Sequence, residues 1–152
     1  MKTTLLLCTA LFALTGCNRS GVIDGAGGSM SVTSGASAGK SATPARISHG
    51  QEVNLQDYVV PGKTTIFDFT SEYCPPCRAI APHLHKLHAS RADIVVVEID
   101  LNRPGIHGID WGSPVAKQYG MNSIPAFKVY GPNGQLQAEG NDAYNFVTGL
   151  LR

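Results

Sequence analysis

The tightest constraint on the fold is the run from Thr64 to Leu87, where a strand-forming segment meets a helix-forming one across Cys74-Pro75-Pro76-Cys77. Thr64-Thr65-Ile66-Phe67-Asp68-Phe69-Thr70 is β-branched and aromatic, the make-up of a buried strand. Ile80, Leu84 and Leu87 then fall on one helical stripe and predict a helix from about Pro76 to Ser90. Pro76 suits its first turn, where a missing amide hydrogen costs nothing. Pro82 lies inside it and should kink it. A CxxC pair can be a redox couple, half of a zinc site or a structural disulfide. Here it opens a helix, where free amides and the helix dipole favour a thiolate at Cys74. Cys77, one turn in, is close enough for a disulfide and shielded by the helix. Cys74 is therefore expected to be the exposed nucleophile and Cys77 the resolving group.

The rest of the chain supplies partners for this unit. Ile47 to Leu55 reads as a short strand with a turn, and Pro61-Gly62 separates it from the strand at Thr64. Asp93 to Asp100 is a second buried strand, and Leu101 to Pro114 a long Gly/Pro-bearing connection. A short helix is expected over Val115 to Tyr119, then strands over Ala126 to Tyr130 and Gln135 to Glu139 joined by Gly131-Pro132-Asn133-Gly134. Asn141 or Asp142 can cap a last helix with apolar Phe146, Val147, Leu150 and Leu151. Together these predict an α/β sandwich around one central mixed sheet.

At the N-terminus Lys2 precedes an apolar run, Thr4 to Leu14, that is too short to span a bilayer and ends in Leu14-Thr15-Gly16-Cys17. This resembles a bacterial lipoprotein signal peptide, cut before Cys17, whose sulfur receives the lipid. The implied organisation is a signal peptide over 1–16, a lipidated Cys17 with a flexible tether over 17–45, and a folded domain over 46–152. The tether is mostly Gly, Ser and Ala without periodicity. As a coil it would span roughly 30 Å, holding the domain off a membrane but within reach of membrane partners. With Cys8 removed and Cys17 acylated, an intramolecular disulfide can only join Cys74 and Cys77. Losing Lys2 also brings the 12 Lys and Arg level with the 11 Asp and Glu. That balance, without a basic run, argues against nucleic acid as a partner.

Phe67-Asp68-Phe69, Cys74-Pro75-Pro76-Cys77, Pro82, Asp100, Tyr119-Gly120, Ile124-Pro125 and Gly140 fall in the order and approximate spacing of thioredoxin. The resemblance covers roughly Val53 to Leu151. The Cys-Pro-Pro-Cys form and the entry segment His49 to Lys63 look more like the TlpA-like membrane-tethered thioredoxins. It implies a thioredoxin fold, a central mixed sheet with helices on both faces. It also implies a cis Ile124-Pro125 bond packed on the cysteine pair, with backbone groups that an extended substrate can meet. Asp68 would sit behind Cys77 and shuttle its proton, work for a carboxyl that burial pushes towards neutral pH. This chain departs from the pattern at Thr70 and Tyr73, where thioredoxin usually has tryptophans. It departs again at Val96, where many thioredoxins have a lysine beside the buried aspartate. The connection from Asp100 to Tyr119 is longer than in thioredoxin and holds Trp111; it can lie near the active site and select partners, or be a packed surface loop.

His83, His85 and His88 share the helix with the cysteines and raise the possibility of zinc. One straight helix cannot close a tetrahedral site over that length, so they are expected to form a polar helix face. Haem attachment fails because Arg78, not histidine, follows Cys77. A non-catalytic binding module with a structural disulfide is the remaining rival outside redox chemistry. Among redox roles, Pro75 and Pro76 withhold amide donors from the Cys74 sulfur, and no histidine lies between the cysteines. Both features favour a reductase over an oxidase or isomerase. The expected protein needs no cofactor beyond the Cys74–Cys77 disulfide. Its expected partners are exported disulfide proteins and a membrane thiol donor, reached from a lipid anchor with the domain facing the periplasm.

Overall fold

The computed structural model describes residues 40–152. The expected signal peptide, the lipidation candidate Cys17 and the tether up to residue 39 lie outside the described residues. Among those described, no helix is long and apolar enough to cross a membrane.

Five strands form one mixed sheet: β1 (Ala45–Ile47), β2 (Thr64–Thr70), β3 (Ile94–Asp100), β4 (Ala126–Tyr130) and β5 (Leu136–Glu139). Their spatial order is β1-β3-β2-β4-β5, with β1, β3 and β2 mutually parallel and β4 and β5 antiparallel to their neighbours. β2 is thus interior, and every residue from Thr65 to Thr70 is buried. Its alternation feeds two cores. Phe67 and Phe69 pack with Val97, Ile99, Leu55 and the short helix α2 (Pro114–Gln118) through Val115 and Ala116. Ile66 faces the other way, with Val96, Phe127 and Val129, under Leu84 and Leu87 of α1 (Pro75–Ser90) and Ala143 and Val147 of α3 (Gly140–Leu150). Helices therefore cover both faces, as the thioredoxin fold requires.

Several expectations need correction. β1 ends at Ile47 rather than continuing to Leu55, because Ser48, His49 and Gly50 take positive φ in succession. Gly50 is obligatory: a Cβ there would lie 2.6 Å from the Arg103 backbone nitrogen. Its N–H donates to Asp100 O and its carbonyl accepts from Val115, so the turn binds β1 to β3 and α2. Leu55–Tyr58 is a 3₁₀ turn capped by the Asn54 side chain. α1, by contrast, covers the expected helix, with an exposed Pro82 inside it. Neither Asn141 nor Asp142 caps α3; the N-cap is Glu139, without a side-chain bond, and both residues lie in the first turn. Phe146 is exposed, and Ala143 takes the core position instead.

The histidines are not one polar face. His88 is 3% exposed: its Nδ1 accepts from Val96 N–H at 2.9 Å and its Nε2 donates to Ser41 O at 2.9 Å. Lys40 adds bonds to Arg91 O and Ile94 O. These contacts seat Lys40 and Ser41 on the domain, which therefore includes residues ahead of the expected boundary at 46. Burial lowers the His88 pKa, with Lys40 a lesser contributor and the Ser41 bond opposing it. A base whose folded pKa lies below its unfolded value of 6.5 supports the fold above that pH, and the support fades as pH falls through it. His88→Leu deletes both bonds and strands the buried Val96 amide. It is expected to cost about 2 kcal/mol in urea unfolding at pH 7.5, and less at pH 5.

Candidate active site

Cys74 is the N-cap of α1 and Cys77 lies in its first turn, so the local rule that starts the helix also fixes the distance between the sulfurs. They form a disulfide, with S–S 2.09 Å and Cα–Cα 5.2 Å. With prolines at 75 and 76, the Cys77 N–H is the amide that reaches Cys74 Sγ among the described residues, at 3.2 Å. The scarcity of donors expected from the two prolines is what the geometry has. The expected exposure of the nucleophile is not: Cys74 is 1% and Cys77 0% exposed. The loop ahead of β4 faces the pair. The Ile124-Pro125 peptide bond is cis, and the Ile124 carbonyl oxygen lies 3.8 Å from Cys74 Sγ. A backbone acceptor thus faces the sulfur from across the site. Pro75, Pro76 and Tyr73 form the exposed rim, with Tyr73 37% exposed.

Asp68 sits on the interior strand β2 at 0% exposure, on the sheet face that α1 covers. Neither carboxyl oxygen finds a hydrogen-bond partner among the described residues. Burial pushes its pKa up to about 8, the negative charge of Glu98 adds to the rise, and Arg46 opposes it. A carboxyl in this state is a proton donor and acceptor matched to neutral pH.

The extended connection after Asp100 lies against this rim. Ser71, three residues before Cys74, donates to Asn102 Oδ1 at 2.6 Å in a buried bond. Asn102 in turn donates to the Ile106 and Gly108 carbonyls, and Arg103 forks onto buried Asp110 at 2.7 and 3.0 Å. The Tyr73 hydroxyl is 3.3 Å from His107 Nδ1, with the rings 6.2 Å apart. Ile106 and Trp111 keep 39% and 40% of their surface exposed. His107, Asn102, Ser71 and Glu98 escaped the sequence reading. Polar residues in a Gly/Pro-rich loop look like surface, and nothing local says which side chain they will meet.

Of the helix histidines, His85 Nε2 is 2.7 Å from Glu98 Oε1, and both ring nitrogens of His88 are engaged by backbone. Among the described residues no group of three potential ligands could hold a metal ion.

Comparison with known proteins agrees with this geometry. The family model described as Thioredoxin matches residues 47–147. Thioredoxin from Streptomyces clavuligerus is 36% identical over 76 residues, covering 49% of this chain and 62% of that protein. Chloroplastic thioredoxin F2 of Arabidopsis thaliana is 30% identical over 71 residues, covering 47% of this chain and 35% of that protein. The chain thus spans less than two thirds of the length of either relative. Among solved structures, a chain of the complex of ferredoxin:thioredoxin reductase with thioredoxin f2 superposes with a TM-score of 0.51 at 19% identity. The match covers 73% of this chain and 94% of that one. The short form of spinach chloroplast thioredoxin f gives 0.50 at 17% identity, covering 73% and 96%. The structures share the fold, and the family model spans both the strand-to-helix junction that carries the disulfide and the cis-proline loop that faces it: the chain belongs to the thioredoxin family.

Proposed function

We propose that this protein is a thiol:disulfide oxidoreductase that reduces disulfides in exported proteins, working from a lipid anchor at Cys17. The observation that carries the chemistry is the Cys74–Cys77 disulfide at the N-terminus of α1, facing the Ile124 carbonyl of a cis-proline loop. In the reduced protein the Cys74 thiolate attacks one sulfur of a substrate disulfide. A mixed disulfide forms and the first substrate thiolate leaves. Cys77 gives its proton to the Asp68 carboxylate and attacks Cys74 Sγ, forming the Cys74–Cys77 bond and expelling the second substrate thiolate. Two electrons pass from the protein dithiol to the substrate, which ends as two thiols. A donor dithiol reverses the cycle on the protein by the same two attacks and is itself left as a disulfide.

The anchor, the export and the TlpA-like assignment rest on the N-terminal lipoprotein resemblance and on the Cys-Pro-Pro-Cys form. An exported compartment is kept oxidising, so a reductase there needs a membrane thiol donor to renew it. The reducing direction is supported by the single amide donor at Cys74 Sγ among the described residues, since a poorly stabilised thiolate makes a more reducing pair. Equilibration against glutathione reads the direction: a potential near −270 mV or below fits a reductase, and one near −120 mV an oxidase.

The deciding experiment is Cys77→Ser. The variant is expected to hold its substrate as a mixed disulfide on Cys74, visible as an adduct that disappears on adding dithiothreitol. If the variant forms no adduct and the wild type is inert towards a model disulfide such as insulin, the fold serves here as a non-catalytic binding module.

A further inference from the structure

The register of the sheet places a row of residues across the face under α1: Arg46 on β1, Glu98 on β3, Asp68 on β2 and Phe127 on β4. In such a row side chains are direct neighbours. Glu98 is 6% exposed and bound from two sides. Arg46 reaches its Oε2 at 3.4 Å, and His85 of α1 places Nε2 2.7 Å from its Oε1. Arg46 and His85 are themselves 37% and 43% exposed at the side chain, so the row is wet at its β1 end and dry further in, at Asp68. The remaining groups around Asp68 add little charge. β4 contributes Phe127, and α3 contributes Tyr144, whose ring stands 6.1 Å from that of Phe127. Val96, two residues before Glu98 on the same face, is apolar. Asp100 lies further along β3 and is held by Arg46 at 3.1 Å and His49 at 3.6 Å. The Lys128 ammonium is over Tyr119, on the opposite face.

Two carboxyls side by side in one buried row, with a cation only beyond the second, is an arrangement that burial alone would select against. We propose that Glu98 is a positioning residue of the thiol exchange: clasped by Arg46 and His85, its carboxylate is the charged neighbour that sets when Asp68 takes up and releases the proton of Cys77. This deepens the proposed function and rests on it. In the resolving step the Cys77 proton moves to the Asp68 carboxylate while Cys77 Sγ bonds to Cys74 Sγ, and the expelled substrate thiolate then receives it. A negative Glu98 beside Asp68 makes Asp68 the stronger acceptor. Glu98→Gln removes that charge and keeps the shape. Arg46→Met removes the opposing charge at a partly exposed position and keeps an unbranched side chain there.

The two variants are expected to move Asp68 in opposite senses, which a general loosening of the structure would not do. Carbon-13 titration of the Asp68 carboxyl in the oxidised protein reads this without any turnover. Its midpoint should fall by about one unit or more in Glu98→Gln and rise in Arg46→Met. The pH at which the resolving rate levels off, measured in single turnover with insulin, should follow in the same directions. Shifts of the same sign, unmoved midpoints, or a resolving rate that ignores a moved midpoint would each overturn the inference while leaving the function standing. A wild-type protein without any exchange overturns the function and this inference together.

Discussion

Cys74→Ser is expected to lower insulin reduction by at least about 10³-fold, to the level of the uncatalysed reaction with the donor thiol. The serine hydroxyl can still accept the Cys77 amide and cap α1, as the sulfur does at 3.2 Å, so the helix start survives the change. What is lost is the nucleophile. The stability cost should be small by comparison. A disulfide between residues three apart closes a very short loop, and chain-entropy arguments give it about 2 kcal/mol. A protein that keeps its urea midpoint within that margin while losing three decades of activity uses the disulfide for exchange. The opposite pattern, a large loss of stability with a model-disulfide activity that was never there, is what a structural disulfide predicts. Cys77→Ser separates the two steps: its first attack should proceed at a rate of wild-type order, and the cycle should then stop at the adduct.

How much of the fold and the site is legible in the sequence depends on which interactions are local. The strand from Thr64, the helix through Leu87 and the cysteine pair between them are specified by neighbours in sequence, and they lie where the periodicity puts them. Asp68 can be read as buried because Ile66, Phe67 and Phe69 flank it. Glu98 cannot be read as its partner, because Val-Val-Val-Glu-Ile-Asp looks like a strand with two acids near its end. Only the β2–β3 register brings Glu98 opposite Asp68, and a register is a non-local fact. The same limit explains His88. On its own helix it belongs to a run of histidines, and its burial comes from Ser41 and Val96, far from it along the chain or on another element. The insertion is the third case. Its contact with the cysteine loop runs through Ser71–Asn102 and Tyr73–His107, pairs that no periodicity connects. The failures at Ile47–Leu55 and Phe146 are different in kind. There the local pattern is apolar enough, and backbone handedness at Ser48-His49-Gly50 and the phase of α3 decide otherwise.

Removing the Asp68 carboxyl should separate stability from function most sharply. Its pKa is about 8 in the folded protein, against 3.8 for a free side chain. Between those values the folded state holds a proton that the unfolded state has released, so stability falls as pH rises across this window and levels off above pH 8. At about 1.4 kcal/mol per unit, the loss is about 4 kcal/mol by pH 7 and on the order of 6 above pH 8. Asp68→Ala has no such group, and this part of its pH dependence should vanish. Near pH 4 both proteins hold Asp68 uncharged or absent, and the variant should be the less stable by about 1 kcal/mol for the atoms removed from a packed site. Near pH 8 the order reverses, and the variant should be the more stable by several kcal/mol, read as a higher urea midpoint at unchanged slope. The acid limb from His88 runs the other way and is common to both, so it cancels in the difference. Activity should move against stability. Without Asp68 the Cys77 proton has no internal acceptor, and the resolving step should slow by about 10²-fold at pH 7. It should then climb with hydroxide and show no levelling near pH 8. Parallel stability curves for the two proteins from pH 4 to 9 would mean that Asp68 is not held protonated by the fold, and the proton-transfer role assigned to it would fall with that. A buried acid whose oxygens find no hydrogen-bond partner among the described residues is a standing cost to the folded state, and the resolving role proposed for it would account for its presence on β2.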